Sequence, residues 1–198
     1  FTSKSEYMKK HFKQFFNWIS NNYINKKSTV LEIGSNDGTF LNFFKEANIN
    51  CLGFEPSKNV ANIAKKKKLK IVNNFFNLKN IKKYKNYMKK IDLICAANVI
   101  CHIPNLNNLI KSIDYLLTKN GFFIFEEPYL GSMFKRKSYD QIYDAHVYMF
   151  SLHSVKKIFA KYQLELIDAL PQNTHGGSMR YVVSRKNRFN ISKRVLKL

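Results

Sequence analysis

Apolar residues fall along this chain in two rhythms that alternate. Tyr7, Met8, Phe12, Phe15, Phe16 and Ile19 recur at mostly three- and four-residue spacing, which predicts an amphipathic helix over residues 1–23 packed on the rest of the chain. Short apolar runs and helical patterns then take turns. The runs "TVLEIG", "NCLGFE", "KIVNNFF", "IDLICAANV" and "GFFIFEEP" read as strands, with helices over about 38–47, about 57–67, and "NLNNLIKSIDYLLTKNG" up to Gly121. Such alternation predicts an α/β fold: a doubly wound, mostly parallel seven-stranded sheet with helices on both faces. A further helix is expected in "SLHSVKKIFAKYQ", opened by Ser151 as N-cap. The runs "LELIDAL" and "SMRYVVSR", joined by "PQNTHGG", are expected to form an antiparallel hairpin at the sheet edge. The expected domains are an N-terminal helix over 1–24, a ligand-binding domain over 25–186, and a basic tail or the start of another domain over 187–198.

Composition narrows this picture without changing it. With 198 residues, 45% of them hydrophobic and 15% aromatic, the chain has enough apolar surface for one core. No apolar run approaches the roughly 20 residues of a membrane span, and "FTSKSEYMKK" lacks the apolar stretch of a secretory signal, so a cytoplasmic location is expected. Cys51, Cys95 and Cys101 are odd in number and have no C-x-x-C spacing, so buried, reduced thiols are expected and no metal. The chain starts with Phe1 and ends in "SRKNRFNISKRVLKL", which reads as a piece of a longer polypeptide with flanking domains. The net charge of +21 raises a polyanion partner. Only five of the 34 basic residues are Arg, and joint enrichment in Lys, Asn, Ile, Phe and Tyr reads as A/T-rich codon usage. That disfavours nucleic acid, while an anionic small substrate would still feel the field.

Candidate chemistry begins at "LEIGSNDGTFL", a strand, a turn and a helix start, where a doubly wound sheet holds its nucleotide. The dinucleotide fingerprint fails because Asn36 takes the place of its second Gly. Glu32 and Asp37 flank the turn and would repel phosphate, yet they suit a ligand carrying an amino group and a sulfonium, as S-adenosylmethionine does. Glu55 in "GFEP", twenty-one residues after Gly34, is placed to accept both hydroxyls of a ribose.

A wider set of motifs makes a family resemblance specific. "VLEIGSNDGTFL", "GFEPS", "AANVICHIPNL", "GFFIFEEPYLG", "YDQIYDAHVYMFSLHSV" and "THGGSMRY" occur in the order found in the S-adenosylmethionine-dependent C-methyltransferases of nucleotide-linked 4-keto-deoxysugars, and the chain resembles that family over nearly its whole length. The resemblance implies a class I methyltransferase middle domain flanked, in the family, by an N-terminal zinc-binding domain and a C-terminal Rossmann-like domain. It implies a small-molecule substrate and S-adenosyl-L-methionine as cofactor. Glu32, Gly34, Ser35, Asn36, Asp37, Gly38, Glu55, Pro56, Phe76 and Ala97 are the expected cofactor residues. Glu127, Tyr129, His175, Gly176 and Arg180 are expected on the substrate side. His146 is the implied base and Tyr143 a donor or relay, with Asn98 and His102 orienting the keto sugar. Ala145 stands where the family has Glu.

Each residue also has a plainer reading. A histidine among aromatics can be a packed core residue, His102 before Ile-Pro can cap a turn, Cys95 and Cys101 can fill the core, and His175 with its two glycines can simply make the link. Two further functions therefore remain open beside C-methylation: an O- or N-methyltransferase of another small molecule or RNA, and a cofactor-binding relative without catalysis.

Overall fold

A computed structural model describes residues 2–197; Phe1 and Leu198, at the ends of the predicted helix and of the basic tail, lie outside the described residues. The strands are β1 (Thr29–Ile33), β2 (Asn50–Phe54), β3 (Ile71–Val72), β4 (Ile91–Ala97), β5 (Leu117–Pro128), β6 (Leu164–Gln172) and β7 (Ser178–Arg185). They form one sheet in the order β3-β2-β1-β4-β5-β7-β6. The pairs β1–β2, β1–β4, β2–β3 and β4–β5 are parallel, and β7 runs antiparallel to both β5 and β6. The expected sheet and hairpin are therefore present. The hairpin's second strand inserts beside β5, which leaves β6 at the edge.

Helices α1 (Glu6–Asn22), α2 (Thr39–Glu46), α3 (Lys58–Lys66), α4 (Leu78–Ile81), α5 (Leu106–Leu116), α6 (Leu130–Arg136), α7 (Leu152–Ala160) and α8 (Lys193–Leu196) complete the fold. The sheet separates two apolar layers. One joins α1 and α2 to the sheet through Phe12, Phe15, Ile19, Phe40 and Phe44. The other joins α5 and α7 through Leu109, Ile113, Val155 and Phe159. Helix α1 forms where its apolar stripe repeats every turn and Ser5 caps it by accepting the Met8 amide. Phe40 of α2 stacks on Phe12 and Phe15, at ring separations of 5.0 and 4.8 Å. That contact matters for function, because it fixes α1 across the carboxyl end of β1.

Two sequence expectations need correction. The helix predicted to reach Gly121 ends at Leu116, and β5 begins at Leu117. Arg185 meets the end of the helix, donating to the helical carbonyl of Asp114 and to the Leu117 and Thr118 carbonyls of β5 and pairing with the Asp114 carboxylate at 2.6 Å, while the Lys89 amide donates to the Tyr115 carbonyl, so the chain turns into the sheet there. The run "KIVNNFF" supplies only a two-residue strand, because the Asn73 amide turns back to the carbonyls of Glu55 and Pro56. The polar loop after it and the segment after Pro128 contain the short helices α4 and α6, too brief to show periodicity. Ser151 caps α7 as expected, in a reciprocal pair with Ser154. The basic tail is packed: Val195 is buried, the Ser192 amide donates to Ile167, and Arg194 holds Asp168 through two hydrogen bonds.

Candidate active site

Two adjoining cavities open at the carboxyl ends of β1, β2 and β4, and Gly34, Pro56 and Val99 line both. The first, of about 220 Å³, is bounded by Glu32, Gly34, Ser35, Asn36, Glu55, Pro56, Ala97 and Asn98, with Thr2, Phe12, Thr39 and Phe40 closing it from the side of α1 and α2. The second, of about 570 Å³, is apolar: Phe54, Phe75, Phe76, Ile103, Pro104 and Leu109 give it walls, with Asn77, His102 and Asn108 at its rim. A polar chamber joined to an apolar slot matches a ligand with a charged end, a ribose and a flat base.

The turn after β1 is built for close approach. Gly34 has φ +66°, and a Cβ there would sit 2.6 Å from Val99 Cγ2. Asn36 takes φ 48°, and its amide donates to Glu55 Oε2 at 2.9 Å, while the Ser57 amide donates to Oε1 at 2.8 Å. Both oxygens of Glu55 are thus oriented by backbone and keep lone pairs toward the polar chamber. Three buried oxygens on its walls, Glu32 Oε2, Ser35 Oγ and Asn98 Oδ1, have no hydrogen-bond partner in the protein. Burial pushes the Glu32 carboxyl well above the usual carboxylate range, and the nearby Asp37 and Glu55 push the same way. Such a set of unanswered acceptors fits a ligand that brings donors and positive charge.

Asp37, expected beside the cofactor, faces away from both cavities. It is fully buried. Its carboxylate accepts from the Ser3 amide and from both the amide and hydroxyl of Thr39, which starts α2 and ties down the N-terminal segment. Burial opposes ionisation, yet these hydrogen bonds and Lys67 hold Asp37 below the usual range. The sequence shows an acid beside a turn, and only the fold shows which way it faces.

Past the mouth of the chambers lies the segment containing His146. It is irregular, with one 3-10 turn at Tyr139–Gln141, and it docks on the turn Ile100–His102 after β4, where the Val147 amide donates to the Cys101 carbonyl. His146 Nδ1 lies 2.8 Å from the Gln141 carbonyl, and His102 Nδ1 lies 2.6 Å from the Ala145 carbonyl. A carbonyl can only accept, so both Nδ1 atoms carry a proton, and in the neutral rings both Nε2 atoms carry a lone pair. The Tyr143 hydroxyl donates to His146 Nε2 at 2.9 Å, and the two histidine rings are 5.0 Å apart. The fold therefore brings His146, Tyr143 and His102 together. Asn98 belongs to the polar chamber, its left-handed backbone (φ 54°) turning the side chain in beside Ala97.

The substrate-side expectations divide. Glu127 is fully buried beneath the loop after β4, where Oε1 accepts from the amides of Val99 and Ile100 at 2.9 and 2.6 Å. It lines neither cavity, and its hydrogen bonds hold the loop that carries Asn98 and His102. Arg180 is likewise spoken for: Nε donates to Glu126 Oε1 at 2.6 Å, the guanidinium stacks 3.9 Å from the Phe15 ring centroid, and His11 meets the other Glu126 oxygen at 2.6 Å. Tyr129 caps the start of α6, its amide held by the Gly177 carbonyl. His175 and Gly176 stand in the partly exposed hairpin link with φ 47° and 69°. Partial burial, with help from His11, lowers the His175 pKa, so the neutral ring is favoured there.

Several contributors escaped the sequence reading. Gln141 acts through its carbonyl, which carries no side-chain signature. Phe75 lines the apolar slot beside the expected Phe76, and "NNFF" could have signalled both. His11 and Glu126, buried partners from distant segments, offered no local spacing to find.

Known proteins share this architecture. A family model described as "Methyltransferase domain" matches residues 5–169, and the chain belongs to that family. It is an S-adenosylmethionine-dependent methyltransferase domain. Among characterised proteins, C-methyltransferase NovU of Streptomyces niveus is 28% identical over 150 residues, covering 76% of this chain and 36% of the relative, so the chain spans about a third of that protein's length. The fold is shared with magnesium protoporphyrin IX methyltransferase of Synechocystis PCC 6803, solved with bound SAH, at TM-score 0.68 and 14% identity over 90% of this chain and 83% of that one. It is shared as well with a complex between the Haloferax volcanii Trm112 methyltransferase activator and a methyltransferase, at TM-score 0.70 and 11% identity over 92% and 95% of the two chains.

Proposed function

We propose that this domain methylates a carbon next to the ketone of a nucleotide-linked 4-keto-deoxysugar, with His146 as the base. The observation that carries the reading is the fixed tautomer of His146, whose Nδ1 proton is held by the Gln141 carbonyl so that Nε2 is the basic atom. S-adenosylmethionine supplies, when bound, an electrophilic methyl group on sulfur. Glu55 would hold the ribose hydroxyls, Glu32 and Asn98 the ammonium end, and the apolar slot between Phe75, Phe76 and Ile103 the adenine. His146 Nε2 would take the proton from the carbon beside the ketone, and that carbon would form the new bond to the methyl group as the methyl–sulfur bond breaks and its electron pair stays on sulfur, leaving S-adenosylhomocysteine. Tyr143 must first give up its hydrogen bond to Nε2, which makes its hydroxyl available to the enolate oxygen. His102, across the rings, offers a second neutral imidazole for proton relay.

The reading is supported by the 28% identity to a named C-methyltransferase and by the resemblance of the histidine segment. Its test is incubation of the chain with S-adenosylmethionine and a nucleoside-diphosphate 4-keto-6-deoxysugar, followed by mass and NMR analysis. A methyl group on carbon is the expected product; a methyl group on oxygen, or turnover only with RNA, would replace this reading.

The cofactor half has its own test. Glu55→Ala removes two charge-assisted acceptors, each worth about 1.5–3 kcal/mol, and should weaken S-adenosylhomocysteine binding at least about tenfold by calorimetry. Unchanged affinity would move the ribose elsewhere.

A further inference from the structure

We propose that Cys101, His102 and His146 form a binding site for a borderline-soft divalent metal ion, zinc foremost, at the mouth of the catalytic cavity. One ligand atom from each residue lies within 4.8 Å of the other two. A four-coordinate zinc ion with sulfur at about 2.3 Å and nitrogen at about 2.0–2.1 Å asks for ligand separations somewhat under 4 Å, so a small inward turn of the side chains closes the site. The donors are those that select zinc: one sulfur and two imidazoles.

The arrangement around them is what metal-binding histidines require. Each imidazole has its Nδ1 proton held by a backbone carbonyl, Gln141 for His146 and Ala145 for His102, which fixes the ring and presents Nε2. The two segments are pinned together by the Val147 amide on the Cys101 carbonyl at 2.9 Å, so the ligands arrive as one unit. Cys101 is buried against the Glu127 carboxylate, and both burial and that carboxylate push its thiol pKa up, so on binding the thiol proton passes to Glu127 while the thiolate joins the ion, whose positive charge offsets the cost. The Tyr143 hydroxyl, now on His146 Nε2, yields that atom to the metal. The fourth position is left for water or a substrate oxygen. The sequence pointed away from metal because no two cysteines have ligand spacing; the fold assembles the site from the neighbouring Cys101 and His102 and from His146, which is distant in the chain.

An ion bound here occupies the Nε2 lone pair that would take the substrate proton, so it acts as a reversible brake. That consequence rests on the proposed role of His146, whereas the site itself does not.

The test is titration of the chelator-treated chain with Co²⁺, read by absorbance. One equivalent should produce the visible bands of a tetrahedral ion together with a thiolate charge-transfer band in the near ultraviolet. Cys101→Ala should lose the charge-transfer band and bind at least about tenfold more weakly. His102→Gln, at the rim and with no core to disturb, should weaken binding by a similar factor while keeping the near-ultraviolet circular dichroism of the parent. Cys51→Ala should retain both features, since Cys51 packs in the other apolar layer. Absence of the charge-transfer band in the parent, its survival in Cys101→Ala, or unchanged Co²⁺ affinity in His102→Gln overturns the site. None of these readings uses turnover, so failure here and failure of the methyl-transfer assay are separate results.

Discussion

His146→Gln abolishes methyl transfer to the keto sugar, a loss of about 10²- to 10⁴-fold, while S-adenosylhomocysteine affinity stays within a few-fold of the parent. Binding and chemistry separate because His146 lines neither the polar chamber nor the apolar slot, whereas Glu55 lines the polar chamber. The decisive measurement is deuterium wash-in at the sugar carbon without methyl donor, which reads proton abstraction alone. Wash-in at the parent rate in His146→Gln would return His146 to a structural histidine packed on Tyr143. A companion variant addresses the missing family carboxylate. The Gln141 carbonyl already orients His146, so Ala145→Glu should leave turnover within about tenfold rather than restoring a factor of about 10² or more. A larger gain would show that the carbonyl is a poor substitute for a carboxylate.

How much of the fold and site is legible in the sequence depends on the range of each interaction. Local periodicity and turn chemistry carried the sheet, the hairpin, α1 and the Ser151 cap, because each is decided within a few residues. The end of α5 was not legible, since it depends on Arg185 arriving from β7 and Lys89 from the loop before β4 to meet the carbonyls of Asp114 and Tyr115. The same division runs through the site. Glu55, Asn36 and Gly34 belong to turns whose geometry follows from their own residues. Asp37 and Glu127 were legible as acids near the site, but their direction was set by Ser3 in one case and by the amides of Val99 and Ile100 in the other. Arg180 was expected on the substrate side, and only the fold supplies Glu126 as its neighbour in space.

That buried group makes the largest stability prediction. Glu126 is 1% exposed and bonds Arg180 with one oxygen and His11 with the other, so it links β5 to both β7 and α1. Glu126→Ala strands a guanidinium that is itself buried, and removing one partner of a buried pair costs about 3–5 kcal/mol. In a chain of this size that corresponds to a fall of roughly 6–20 °C in Tm. The Arg180 guanidinium also stacks on Phe15 and Trp18, and these contacts survive the mutation, so the lower half of the span is the better expectation. Removing the charges together separates the causes: Glu126→Met combined with Arg180→Met should recover much of the loss, because no unpaired charge remains in the interior. A double variant no more stable than Glu126→Ala would mean that the pair contributes through geometry, by fixing α1 over the polar chamber. Cofactor affinity distinguishes these outcomes, since the Glu126 carbonyl receives the Asn98 amide at 2.8 Å and any shift of β5 carries Asn98 out of the chamber wall.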